Sequence, residues 1–136
     1  MMELFKALRL SAAGMDAQAM RLRIVAENLA NRDTTASAPE GDPYRRKTIT
    51  FESRLDRALG VEEVRVKRIG RDESEFGTRF EPGHPAADEN GYVKVPNVNS
   101  FIEVMDMREA QRSYSANLNV LEVTRGMLTR AIELLR

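Results

Sequence analysis

The stretch MELFKALRLSAAGMDAQAMRLRIVAENLA, residues 2–30, decides the architecture. Phe5, Ala12, Ala19 and Ala26 recur every seven residues, and Leu8, Met15, Leu22 and Leu29 form a second series three positions later. This is the a/d pattern of a helix packed at a shallow angle against a partner. A helix from Met2 to Ala30 is about 43 Å long at 1.5 Å per residue. Its small a positions would let a neighbouring helix approach closely. Asn28 and Asn31 read as helix-end caps, because Asn tolerates the left-handed conformation common there. They would turn the chain out of the helical layer.

The other end of the chain repeats the pattern. Val104, Gln111, Leu118, Arg125 and Ile132 form one series, and Met107, Tyr114, Leu121, Leu128 and Leu135 the other. Ser100 and Glu103 have the spacing of a capping box, in which hydroxyl and carboxylate each satisfy a free backbone amide. The second helix is therefore expected from near Phe101 to the chain end, about 50 Å. Gln111 and Arg125 interrupt its seam and, with Tyr114, read as buried or half-buried packing residues that could set register in a multi-helix assembly.

All five prolines fall between residues 39 and 96, with six of the eight glycines. Proline inside a helix costs about 3 kcal/mol, so this segment is not a long helix. Alternating or β-rich runs at Tyr44–Phe51, Val61–Ile69, Phe76–Phe80 and Tyr92–Val95 predict a small antiparallel sheet. The expected class is mainly α with a small β region: an N-terminal helix (1–31), a loop and β-rich middle (32–97), and a C-terminal helix (98–136), the two helices forming a coiled-coil pair. Two such helices expose apolar seams that a 15.4 kDa chain cannot cover alone, which points to a subunit of a larger assembly.

Composition removes several functions. Lys plus Arg and Asp plus Glu are 21 each, so the cationic surplus that nucleic acid or an anionic membrane attracts is missing. The middle region carries 12 basic and 13 acidic residues. Arg45, Arg46, Lys47, Arg65, Lys67, Arg68 and Arg71 are interleaved there with acids, which reads as a solvated mixed-charge surface. There is no cysteine for a disulfide, thiolate metal site or nucleophile. The first 30 residues carry scattered charges rather than the apolar core of a signal peptide, and their net charge is too small for a lipid-binding face. His84 is the only histidine, with Asp88 and Glu89 nearby in sequence. One imidazole without a second His or Cys makes a poor transition-metal or catalytic centre. Between Pro82 and Pro85 it reads as a surface or hydrogen-bonding residue of a rigid turn.

Several segments resemble one family. Asn28-Leu29-Ala30-Asn31 is similar to the signature of the axial proteins of the bacterial flagellum, the rod, hook and hook-associated proteins. Pro39 to Lys47, the run Pro82-Gly83-His84-Pro85, Gly91 to Asn99, and Glu103 to Met107 with Ala110, Arg112, Ser113, Tyr114, Ala116 and Asn117 resemble its proximal-rod branch. Arg32-Asp33 and the order Val104-Met105 depart from the usual pattern. The resemblance spans nearly the whole chain. It implies a structural, non-catalytic subunit of the basal body whose terminal helices pair into an inner tube, with the middle region outside. The implied partners are other copies of the chain, the rod proteins FlgB, FlgF and FlgG, the basal-body protein FliE, and the flagellar type III export apparatus, with no nucleic acid, cofactor or small-molecule substrate. It also implies a drive shaft enclosing the export channel across the periplasm, and export without a cleavable signal. The packing residues expected to matter are Leu8, Met15, Leu22, Asn28, Leu29 and Asn31 on the first helix, and Met107, Tyr114, Asn117, Leu118, Leu121 and Leu128 on the second. Without the resemblance, a helical adaptor or scaffold binding through coiled-coil partners fits the same seams.

Overall fold

The computed structural model describes residues 1–136. The helices α1 (Met2–Ala30) and α2 (Ser100–Leu134) bracket four strands, β1 (Lys47–Asp56), β2 (Val61–Arg71), β3 (Gly77–Phe80) and β4 (Tyr92–Val95). The fold is mainly α with a small β region. Neither helix is long and apolar enough to cross a membrane. Gly14 meets Asn117, Arg21 reaches Asp106 and Glu109, and Asn28 reaches Glu103. Position thus rises along α1 as it falls along α2, so the helices are antiparallel neighbours.

Both helix boundaries match the sequence reading closely, but their caps do not. At the end of α1, the Asn31 side chain donates to the Glu27 carbonyl at 2.8 Å. Its φ of −105° is not left-handed; the carboxamide itself satisfies a terminal carbonyl, so no left-handed residue is needed. At the start of α2, the cap is Asn99, whose Oδ1 accepts from the amides of Phe101 (3.0 Å) and Ile102 (3.4 Å). The expected Ser100–Glu103 box is absent because the Glu103 carboxylate is fully buried against other elements.

The helix seam also needs correction. On α2 the buried positions are Glu103, Ala110 and Thr124, again spaced by sevens, with half-buried Asn117 and Ala131 continuing the row. Met107, Tyr114, Leu121 and Leu128 are half-buried beside it. The second expected series is therefore on the packed side, but the first lies one residue late. Val104, Gln111, Arg125 and Ile132 are exposed. On α1, Phe5, Ala19 and Ala26 are exposed, whereas Ser11, Gly14, Ala17, Ile24, Val25 and Asn28 are buried. The reason is close approach. A Cβ at Gly14 would stand 2.8 Å from Asn117 Nδ2, so this interface selects small and polar residues that a search for large apolar ones passes over.

The middle region forms two separate antiparallel hairpins, β1–β2 and β3–β4, rather than one sheet. β1 starts three residues later than read and continues to Asp56. It pairs with β2 from Lys47↔Arg71 to Asp56↔Val61, with a bulge between Thr50 and Phe51. Asp56 closes the hairpin turn by accepting from Ala58 and Leu59 amides. The hairpin leans on α1, where Ala12, Ala13, Ala17 and Met20 face Val64 and Val66 across a groove. Glu63, expected at a solvated surface, is 3% exposed and is held by Arg9 at 3.1 Å and Arg65 at 2.6 Å. In the second hairpin Asp88 accepts from the Asn90 and Tyr92 amides. Gly91 adopts φ +83°, and a Cβ there would strike Phe80 at 2.8 Å, so only glycine fits the turn.

Candidate assembly site: a polar junction and uncovered helix faces

Asn28 and Glu103 lie where α1 ends and α2 begins, and both are essentially sealed from solvent, at 1% and 0% exposure. The Asn28 carboxamide makes four hydrogen bonds. Its Nδ2 donates to the Lys47 carbonyl at 2.9 Å and to Glu103 Oε2 at 3.4 Å. Its Oδ1 accepts from Tyr44 Oη at 2.7 Å and from the Lys47 amide at 2.9 Å. Asn28 therefore binds β1 to both helices and is no cap, which corrects the sequence reading. Pairing with both polar groups of Lys47 copies a β-bridge with a side chain, an arrangement only a carboxamide can supply.

Arg46 completes the junction. Its Nε donates to Glu103 Oε1, and its other nitrogens reach Asp72 at 3.4 Å and Asp106 at 3.7 Å. Burial pulls the guanidinium toward losing its proton, but the Glu103 hydrogen bond and the charges of Glu103, Asp72 and Asp106 outweigh it and raise its pKa. Asp72 is held below the usual carboxylate range, first by the Ser74 amide and hydroxyl and then by Arg46. Glu27 is also lowered, chiefly by its hydrogen bond from Lys47 Nζ at 2.8 Å. Burial raises the Tyr44 phenol, which stays a donor to Asn28. Asn97 adds backbone links: its Oδ1 accepts from the Arg46 amide, and its Nδ2 donates to the Asp72 and Ser74 carbonyls. A buried charge is tolerated only when paired and hydrogen-bonded. Here one α2 carboxylate is held by Asn28 of α1 and by Arg46 just before β1, so the junction fixes how the middle region leaves the helix pair.

The remaining sequence-chosen residues are partly covered, and Asn117 among them meets Gly14 inside the helix interface. Leu8, Met15, Leu22, Leu29 and Asn31 on or beside α1 are half-buried, as are Met107, Tyr114, Asn117, Leu118, Leu121 and Leu128 on α2. The sequence reading put Arg46 on a solvated mixed-charge surface and Glu103 in a helix cap, whereas the structure joins them in an ion pair whose carboxylate is fully buried. Their only signal was position within the segments that resemble the flagellar family, since a single ion pair leaves no periodic trace.

Large apolar residues cover surfaces that nothing in the chain meets. Phe101, Met105, Val120, Val123, Met127 and Leu134 on α2 are 49–86% exposed, as are Met2 and Phe5 on α1. The buried hydrophobic core is six residues, none larger than isoleucine. Gly126 adds a second sign. Unlike Gly14, its missing Cβ would meet nothing within 4 Å, so no contact inside the chain accounts for a helix-weakening glycine there.

Comparison with known proteins identifies the family. Residues 89–134, covering β4 and α2, match the family model described as Flagellar basal body rod FlgEFG protein C-terminal. The chain is 52% identical to the flagellar basal-body rod protein FlgC of Agrobacterium fabrum, over 94% of this chain and 92% of that one. It is 38% identical to FlgC of Salmonella typhimurium over 98% of each, and 35% identical to FlgC of Bacillus subtilis over 98% and 99%. Identity at this level across almost the full length of both chains leaves no unmatched domain, and the chain therefore belongs to the FlgC family of flagellar basal-body rod proteins, structural components of the flagellar rod.

Proposed function

We propose that this chain is a proximal-rod subunit. It adds helically to other copies and to the neighbouring rod proteins FlgB, FlgF and FlgG, with FliE at the base. Segments 1–31 and 98–136 build the inner helical layer, and residues 32–97 lie outside it. The assembly transmits motor torque and encloses the export channel across the periplasm. The chain reaches it through the flagellar type III export apparatus without a cleavable signal, and it performs no catalysis. The observation that carries this reading is the surface left uncovered. The chain exposes 9347 Å², whereas a folded monomer of its mass exposes about 7,200 Å². The excess is lined by apolar helix positions that a stable partner would cover. Subunits that add head-to-tail generate a helix or tube rather than a closed dimer. The test is deletion of the gene followed by basal-body purification and complementation. The chain should co-purify with rods, and rods should stop short without it; complete rods in the deletion strain would refute the reading.

A further inference from the structure

Asn90 is exposed in the turn that leads into β4, and of the seven asparagines it alone is followed by glycine. Glycine has no side chain to keep its backbone nitrogen away from the carboxamide before it. The other asparagines are engaged or hindered. Asn28, Asn31, Asn97 and Asn117 donate from their carboxamides, and Asn99 accepts at the start of α2. Asn119 lies inside α2 ahead of a β-branched valine. At Asn90 only the backbone amide is bonded. One residue holds this turn. Asp88 Oδ1 accepts from the amides of Asn90 and Tyr92, both at 2.9 Å, and the Asp88 carbonyl accepts from the Gly91 amide at 3.0 Å. We propose that Asn90 is a site of spontaneous deamidation, with water as co-reactant, and that Asp88 holds the reaction back while the turn is folded.

The step exchanges one amide for another inside the chain. The Gly91 nitrogen gives its proton to hydroxide and bonds to Asn90 Cγ. The Cγ–Nδ2 bond breaks, and ammonia leaves with a proton taken from water. Water then opens the cyclic imide at either carbonyl, giving aspartate or its β-linked isomer, and nothing is oxidised or reduced. The attacking nitrogen is the one the fold engages. Its N–H is bonded to Asp88, and Gly91 is fixed at φ +83° with its carbonyl accepting from the Glu81 amide at 2.9 Å. Closing the imide ring requires the Gly91 amide to leave Asp88, so the reaction waits on local opening of the turn. The β-linked product adds a backbone atom between Asp88 and Tyr92, the residues whose mutual bonds close the turn. It therefore loosens the hairpin that pairs Phe80 with Tyr92.

The test is incubation of the full chain at pH 8, native and in guanidinium chloride, with peptide mass spectrometry following each asparagine over time. In denaturant Asn90 should react faster than the other six. In the native chain it should slow about fivefold or more, the protection given by roughly one backbone hydrogen bond. Asp88→Ala removes the acceptor of two turn amides, so it should restore most of the lost rate natively and change nothing in denaturant. Asp88→Asn keeps an acceptor oxygen and should stay near the parent. Asn99 precedes a serine and caps α2, so its rate in the same digests reports opening of the rest of the chain. Equal Asn90 rates with and without denaturant, or a faster asparagine elsewhere in denaturant, would overturn the proposal. So would a native Asp88→Ala chain that reacts no faster than the parent, or one that speeds Asn90 and Asn99 by the same factor.

Discussion

Asn28 and Glu103 divide labour at the junction in a way that substitution separates. Removing the Asn28 carboxamide strands the Tyr44 hydroxyl, both polar groups of Lys47 and part of Glu103. Unsatisfied buried groups cost about 1–3 kcal/mol each, though water admitted by the smaller side chain recovers some of that. Asn28→Ala is therefore expected to destabilise the chain by roughly 2–3 kcal/mol in urea unfolding followed by circular dichroism. Asn28→Asp keeps the shape but aims a second carboxylate at Glu103, and two like charges in one buried site resist joint ionisation. Its defect should be largest at pH 7 and shrink on going to pH 5, as the pair takes up a proton. A defect equal at both pH values would mean that Glu103 does not face Asn28. Glu103→Ala should cost about 3–5 kcal/mol, because Arg46 is left partly buried beside a gap.

Elements and their connections show which features the sequence could and could not reveal. The ends of both helices followed from heptad spacing and from the restriction of proline to residues 39–96, since both signals are carried by many residues. The hairpin positions followed from alternation and turn residues. Helix rotation did not follow in full, because the interface around Gly14 and Asn117 is built of small and polar groups while several conspicuous apolar residues, Phe5, Val104 and Ile132 among them, are exposed. The caps failed for a related reason: Glu103 and Asn28 have capping chemistry, but tertiary partners claim them first. The heptad leucines and methionines chosen as assembly residues are half-buried on the two helices, while the ion pair between Arg46 and Glu103 left no sequence signal. The junction's acid response belongs to this scale. Asp72 and Glu27 have lowered pKa values in the fold, so each binds its proton more weakly folded than unfolded. Their contribution is complete above the unfolded carboxylate range, near pH 4, and is lost as pH falls through the lowered folded values. Stability of the attachment between β2 and the helix pair should thus hold from pH 7 to about 5 and decline below about 4. Asp72→Asn should make that decline shallower, which unfolding curves at stepped pH would register.

At the scale of the whole molecule, the folded chain is incomplete by its own surface area. Its helices span 29 and 35 residues, yet the ends remote from the junction leave Met1, Met2, Phe5, Met127, Leu134 and Leu135 open. Short of partners these ends should fray, so circular dichroism of the dilute chain should report less helix than those two spans, rising with concentration or assembly. Two aspartate substitutions then separate folding from assembly. Leu121 is half-buried beside the α1–α2 interface, and truncating a packed leucine alone costs about 2–5 kcal/mol. Leu121→Asp should therefore weaken the isolated chain and abolish swimming. Val123 is 58% exposed, and surface substitutions ordinarily change stability by about 0.5 kcal/mol or less. Val123→Asp should leave the isolated chain as stable as before. If α2's outward face is covered in the rod, however, the same change buries an unpaired carboxylate in every copy, at several kcal/mol each. Swimming should then fail, with the chain still detectable outside the cytoplasm and absent from purified rods. Normal motility for Val123→Asp would show that this face stays wet in the assembly, and the contact surface would have to lie elsewhere on the helix pair.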